Sequence, residues 1–173
     1  MKKLLALMLC AACLVSLAAC GSRGEPEVTE TDDSAEITGI ANPFVDYDSL
    51  EDACAVVGFD FTVPETIGDC PIESVQVMDG RMIQVTYCDG EADGNRVILR
   101  KAAGTEDISG DYNQYDVGIV ACGSERSAEF RGVEQDFYVA TWTTIDGYTY
   151  ALTTVLPMTS DDMSALIQSV DPS

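Results

Sequence analysis

The sequence predicts an α+β fold: an antiparallel sheet of six or seven strands, mainly a meander, with an N-terminal and a C-terminal helix packed on one face. Two amphipathic helix patterns stand at the two ends of this region, and between them apolar and polar residues alternate with the period of two that half-buried strands show. Asp-Gly turn signals separate the alternating runs. The 173-residue length fits one such domain, residues 43–173, with an N-terminal extension.

The extension begins with a predicted lipoprotein signal peptide, residues 1–19. Two lysines precede an apolar stretch from Leu4 to Ala19, which is shorter than the roughly 17–25 residues of a comfortable membrane span. The sequence Leu17-Ala18-Ala19-Cys20 looks like a bacterial lipobox. That resemblance implies cleavage before Cys20 and attachment of diacylglycerol, with palmitate-type acyl chains, to its thiol. We therefore expect the chain at the extracytoplasmic face of the cell membrane, held there by its lipid anchor.

Residues 20–42 are predicted to be an acidic flexible tether behind the lipidated cysteine. The segment is rich in Asp and Glu and has no aromatic side chain, so it cannot bury enough apolar surface to offset its chain entropy. The formal charge of the whole chain is −21. Such acidity argues against nucleic acid as a partner, and against attraction to an anionic leaflet without a lipid anchor.

The first helix is predicted over residues 48–58, with Asp48 or Ser49 as its N-cap and Gly58 at its end. The second is predicted to follow a Ser160 cap, with acidic side chains in its first turn. Residues 59–63 can form a short strand that Pro64 ends, and the strands of the sheet are predicted over residues 72–78, 81–88, 95–102, 117–122, 127–131, 136–143 and 148–156.

The hairpin around Asp79-Gly80 allows a predicted register. A three-residue loop Met78-Asp79-Gly80 pairs Val77 with Arg81, and it places five apolar residues on one face: Val75, Val77, Ile83, Val85 and Tyr87. A two-residue loop would divide that set between both faces. The same register places Cys70 opposite Cys88.

Four cysteines follow Cys20, and on the oxidising side of a membrane they could pair. The hairpin register favours a Cys70–Cys88 disulfide, which leaves Cys54–Cys122 by exclusion. The alternative for Cys54 is a buried thiol that acts as a small hydrophobic group. The chain has no His, and these four cysteines form no CxxC pair, so neither a zinc site nor a cofactor is predicted.

The most distinctive polar stretch is a candidate ligand loop that alternates oxygen-bearing side chains: Asp107, Ser109, Asp111 and Asn113, with Tyr112 among them. The spacing is similar to that of a calcium loop, but Tyr112 stands where an EF-hand needs Gly, and Gly118 where it needs Glu. We therefore predict a solvated connection and no metal site. Trp142 and its neighbouring tyrosines could stack on a sugar or peptide, although core packing is the stronger interpretation for Trp142.

Several segments are similar to one family: the run from Gly58 to Pro64, VMDGRMIQVTYCDG, RVILRKAAG and ATWTTIDGYTYALTTV before a polar-capped helix. They resemble a domain-of-unknown-function family found in extracytoplasmic parts of Gram-positive lipoproteins and anti-sigma-factor-like regulators. The resemblance covers most of residues 43–171, and it implies an α+β envelope domain without known catalytic activity. Because the chain has no membrane helix after a cytoplasmic part, we do not expect direct signalling to a sigma factor.

Two functional hypotheses follow. The first is a non-catalytic binding or accessory module of the envelope that engages a protein, a peptide or a wall polymer. The alternative is an enzyme, a carboxylate-dependent hydrolase of cell-wall glycans, since paired carboxylates can cleave glycosidic bonds without His. A carrier of acyl chains would require a hollow sheet, which alternation alone does not distinguish from a filled one.

Overall fold

The computed structural model describes residues 42–91, 94–123 and 126–172. The predicted signal peptide, Cys20 and nearly all of the tether lie outside these ranges. Within them the fold is α+β, as predicted, with one mostly antiparallel sheet and two helices. None of the helices in the described ranges is long and apolar enough to cross a membrane.

The described strands number nine, more than the six or seven predicted. In chain order they are β1 (Phe44–Tyr47), β2 (Thr66–Ile67), β3 (Cys70–Met78), β4 (Met82–Cys88), β5 (Arg96–Ala103), β6 (Asp116–Cys122), β7 (Arg126–Val133), β8 (Asp136–Thr143) and β9 (Tyr148–Met158). The additional strands β1 and β2 are short and lie beside β3. The predicted strand at residues 59–63 is absent, and that segment is irregular.

The sheet order is β1-β3-β4-β5-β9-β8-β7-β6, with β2 also paired to β3. A single meander is therefore only part of the arrangement. The connection after β5 leads to the far edge of the sheet, and β6 to β9 then return strand by strand until β9 pairs with β5. This return brings the second half of the chain against the first at the centre of the sheet.

Helix α1 (Leu50–Val57) begins and ends as its sequence predicts. The Ser49 side chain accepts a hydrogen bond from the Asp52 amide at 3.1 Å, and Gly58 ends the helix with a φ of 78°. A side chain at Gly58 would be strained in this left-handed conformation. The helix packs against β1, β3 and β4.

Helix α2 (Ser160–Ser169) begins one residue earlier than predicted. Its cap is Thr159, which has an extended backbone and accepts from the Asp162 amide at 3.2 Å, whereas Ser160 is already helical. Met163 and Ile167 are the buried residues of this helix, which packs against β6 and β8.

The β3–β4 register differs from the prediction by two residues. Met78 pairs with Met82 and Val77 with Ile83, so the loop is Asp79-Gly80-Arg81, with Asp79 and Gly80 both at positive φ. A shift of two keeps the side-chain alternation, and the predicted apolar face is correct: its five members belong to the hydrophobic core. Val85, Leu99, Phe130 and Leu152 of the core are fully buried.

Candidate functional site

Lys101 occupies an unusual position for a lysine. It follows Arg100 in β5, and because successive strand residues point to opposite faces, Lys101 lies in the row of the core residues Ile83 and Tyr150. Only 8% of its side chain is exposed. A charged group this deeply buried needs partners that replace its hydration.

Four aromatic rings surround the Lys101 ammonium. Its nitrogen lies 4.7 Å from the ring centroid of Tyr148, 5.2 Å from Tyr150, 5.5 Å from Phe59 and 5.8 Å from Phe61. All four distances are within the range of a cation–π interaction. Tyr148 and Tyr150 belong to β9, and Phe59 and Phe61 belong to the irregular segment after α1. The segment predicted as a strand therefore supplies two of the four rings around the Lys101 ammonium.

Asp171 supplies the counter-charge. Its Oδ2 accepts from the Lys101 ammonium at 2.5 Å and from the Tyr150 hydroxyl at 2.8 Å, and its Oδ1 accepts from the Thr62 amide at 2.6 Å. The carbonyl oxygen of Asp60 also accepts from Lys101, at 2.5 Å. Burial, and then the hydrogen bond to Asp171, raise the pKa of Tyr150, so this hydroxyl stays a donor at neutral pH.

Arg126 fixes the chain around Asp171. Its guanidinium donates to the carbonyl oxygens of Ile167 at 2.8 Å and Val170 at 2.5 Å, and also to that of Asp171. The last carbonyls of a helix have no partners within it, and a cation is favourable there. Arg126 therefore holds the end of α2 where Asp171 can reach Lys101.

A cavity of about 650 Å³ opens beside this group. We call it the Lys101 pocket, and its lining includes Lys101, Arg126, Thr144, Asp146, Tyr148 and Asp171. The Thr144 hydroxyl is buried and has no hydrogen-bond partner. Lys101 can donate three hydrogen bonds but makes two to the protein, so it has one donor left.

Trp142, next to the pocket in the sheet, is a core residue, as predicted. It is 4% exposed and stacks on Tyr150, with ring centroids 5.0 Å apart and planes 5° apart. Its indole N–H is buried without a partner. Tyr138, four residues earlier in β8, stacks on Tyr115 with ring centroids 5.8 Å apart, and the β8–β9 register shifts between Phe137 and Val139.

The candidate ligand loop is largely bonded to its own chain. Asp107 accepts from the Ser109 amide at 2.8 Å and from Arg131 at 2.6 Å, and Ser109 is buried. Burial raises the pKa of the Asp107 carboxyl, but the hydrogen bonds from Ser109 and Arg131 outweigh it, and the pKa falls below its usual value. Asp111 accepts from the Asn113 amide at 2.8 Å.

Unlike the bonded residues of the candidate ligand loop, Tyr112 projects into solvent, because 94% of it is exposed. Arg100 of β5 holds the loop backbone, because its guanidinium donates hydrogen bonds to the carbonyl oxygens of Ile108 at 2.8 Å and Ser109 at 2.6 Å. No group of three or more potential metal-ligating side chains occurs in the part of the chain that the structure describes.

The predicted disulfides are both absent. Cys54, Cys70, Cys88 and Cys122 are free thiols. The observed hairpin register differs from the predicted one by two residues, and the shift between Ile72 and Ser74 recovers only one of them. Continuing the ladder from the Ile72–Tyr87 pair therefore sets Cys88 opposite Pro71 and not opposite Cys70. Cys54 lies at the edge of the core, in agreement with the alternative of a small apolar side chain, and burial raises the pKa of its thiol.

Sequence reasoning missed Lys101, Asp171 and Arg126, three of the charged residues of the pocket. One signal was available: Lys101 is the only lysine after the leader, and it stands within the apolar strand RVILRKAAG. The position of Asp171, 70 residues away, carries no comparable signal.

Comparisons with known proteins identify no relative. No protein-family model, curated protein or solved structure matches this chain. A function is therefore inferred from its own residues.

Proposed function

We propose that this chain is a lipid-anchored, extracytoplasmic binding protein of a Gram-positive envelope, and that the Lys101 pocket holds a neutral, hydroxyl-rich segment of a wall glycan. The location is supported by the sequence before Cys20, which resembles a lipobox, and by the resemblance of residues 43–171 to a family of envelope domains. The pocket supports the binding role. Membrane attachment keeps the domain beside its ligand, and two or three acyl chains provide a stable anchor where one does not.

The observation that carries the proposal is the set of polar groups left without partners at an open cavity. Native proteins satisfy nearly all buried polar groups, so a buried hydroxyl without a partner calls for an explanation. Thr144 has such a hydroxyl, and Lys101, which lines the same cavity, has an unused donor. A ligand hydroxyl would accept from the Lys101 ammonium, and from Thr144 once a rotation of this side chain turns its buried hydroxyl toward the cavity.

The lining also indicates the charge of the ligand. The lining contains three acidic residues and two basic ones: Asp60, Asp146 and Asp171, with Lys101 and Arg126. The pocket therefore has no excess of positive charge that would attract an anion. Tyr148 adds an aromatic surface on which the C–H face of a sugar ring can pack. Carboxylates as acceptors, an ammonium as donor and an aromatic ring together suit a neutral saccharide.

Binding fits the pocket better than hydrolysis does. A glycosidase needs one carboxyl group that keeps its proton and another that is free to act as a base or nucleophile. Asp171 is bonded to three donors, one of them the Lys101 ammonium. Outside the pocket, the carboxyls of Asp89 and Asp107 have lowered pKa values, the opposite of what a general acid needs.

The binding experiment uses the full chain in detergent, purified peptidoglycan sacculi in a sedimentation assay, and an N-acetylglucosamine tetramer in calorimetry. Thr144→Val removes the unpartnered hydroxyl with little change of shape, and Thr66→Val, at an exposed site on β2, is the control. We expect about fivefold weaker binding for T144V, which corresponds to one lost hydrogen bond of about 1 kcal/mol. The proposal is wrong if neither probe binds or if T144V binds as tightly as the wild type. Release of new reducing ends from the sacculi would favour the hydrolase.

The location has its own test. Mass spectrometry of the protein from a Gram-positive host should show an N-terminal Cys20 that carries diacylglycerol, and Cys20→Ser should abolish both acylation and membrane sedimentation. An unprocessed chain in the cytosol would contradict the location without affecting the pocket.

A further inference from the structure

Strand β6 is the last strand of the sheet and leaves one edge open. It pairs with β7 over seven residues, Asp116–Cys122, and no other described strand pairs with it. An open strand edge presents backbone donors and acceptors that another extended chain can use. The opposite edge, β1, has four residues and follows Pro43.

β6 lacks the features that usually prevent strand addition. Between Val117 and Cys122 it contains no charged residue and no proline, and its pairing with β7 has no register shift. Val117 is 60% exposed and Ile119 is 72% exposed. A long, regular edge with exposed apolar side chains is the form that accepts a further strand.

The charge of the protein indicates what kind of strand would dock there. The whole chain carries −21, and every basic side chain in the described ranges already contacts acceptors of its own chain: Arg81, Arg96, Arg100, Lys101, Arg126 and Arg131. The acidic side chains near β6 are exposed. Asp116 begins the strand, Glu134 lies in the turn after β7 beside that end, and Asp136 begins β8.

We propose that β6 binds an extended, basic segment of a partner polypeptide by strand addition. The backbone edge provides hydrogen bonds, Val117 and Ile119 provide apolar contacts, and the acidic end selects Lys or Arg in the partner. A second copy of this chain fits less well, because two chains that each carry a formal charge of −21 repel one another, whereas a basic segment is attracted. Asp116, Val117 and Ile119 do not line the Lys101 pocket, and the proposal does not depend on the proposed glycan.

The probe is a labelled peptide, Lys-Val-Thr-Val-Lys-Val-Thr-Val-Lys, titrated with the full chain in detergent and followed by fluorescence anisotropy. Two matched peptides test the two parts of the proposal. One has N-methyl groups on alternate backbone amides, which removes strand hydrogen bonds, and the other replaces each Lys with Glu. We expect at least tenfold weaker binding of both, and weaker binding of the unmodified peptide as salt is raised.

Two variants locate the site. Ile119→Lys places a charge on the exposed face of β6 and should weaken binding at least tenfold, whereas Val45→Lys, at a 57% exposed site on the opposite edge strand, should not change it. Thr144→Val should also leave peptide binding unchanged, which separates this proposal from the glycan site. Equal binding of the N-methylated peptide, or of the I119K protein, overturns the proposal. Self-association that I119K abolishes would assign the edge to a second copy instead.

Discussion

Replacement of Asp171 by Asn tests whether the pair with Lys101 fastens the end of α2 to the sheet. All three groups that contact this carboxylate are donors: the Lys101 ammonium, the Tyr150 hydroxyl and the Thr62 amide. An Asn side chain has one acceptor oxygen, so its NH₂ group must face at least one donor. D171N therefore removes the charge and also leaves hydrogen bonds unmade.

We expect D171N to lower the free energy of unfolding by about 3 kcal/mol. Removal of one partner of a buried ion pair costs about 3–5 kcal/mol, and the lower end applies because the Asp171 side chain is 20% exposed. For a domain of this size the change corresponds to a fall in Tm of roughly 10 °C. Lys101→Met keeps the apolar stem and leaves Asp171 two donors, so it should cost only about 1 kcal/mol.

The double variant K101M/D171N identifies the interaction. In a protein that already carries K101M, the D171N substitution should cost about 1 kcal/mol, which gives a coupling energy of about 2 kcal/mol. The assay is urea unfolding followed by the fluorescence of Trp142, the single tryptophan, which stacks on Tyr150. Asp146→Asn, an exposed position in the same pocket, is the control and should change stability by less than about 0.5 kcal/mol. Additive effects of the two substitutions would refute the reasoning.

The structure supports three further predictions. In the absence of reductant, the denatured mature domain should show four reactive thiols, and fewer than four reactive thiols would indicate a disulfide. In the native domain the half-buried Cys54 and Cys88 should react before the buried Cys70 and Cys122. Asp107→Asn should destabilise by less than about 1 kcal/mol at pH 7, since solvent screens this half-exposed carboxylate. The pKa of Asp107 is lowered in the folded state, so the stability difference between the wild type and D107N should be present above about pH 4 and should disappear as the pH falls through the folded-state pKa. Urea unfolding at several pH values measures this difference. A difference that does not change with pH would contradict the ion pair. Tyr87→Phe removes the 2.7 Å hydrogen bond to a backbone carbonyl and should cost about 1 kcal/mol in thermal unfolding, and no loss would mean that this bond is replaced.

Local patterns determine much of this fold. Ser49, Asp52 and Gly58 lie within one short segment, and the cap and terminator they form depend only on their own backbone, which is why α1 is predicted closely. The apolar face of the β3–β4 hairpin is also correct although its register is not. A shift of two residues leaves every side chain on its face, and alternation cannot detect it.

The Lys101 pocket is a different kind of feature, because its parts come from distant positions in the chain. By itself the sequence determines an α+β domain with capped end helices and a strong excess of acidic residues. It also predicts lipid attachment at Cys20. Only the tertiary structure decides that β9 returns to pair with β5, which brings Tyr148 and Tyr150 beside Lys101. The physical reason is that helix caps and strand alternation act between neighbouring residues, whereas burial of a charge is decided by chain segments that meet only after the sheet has closed.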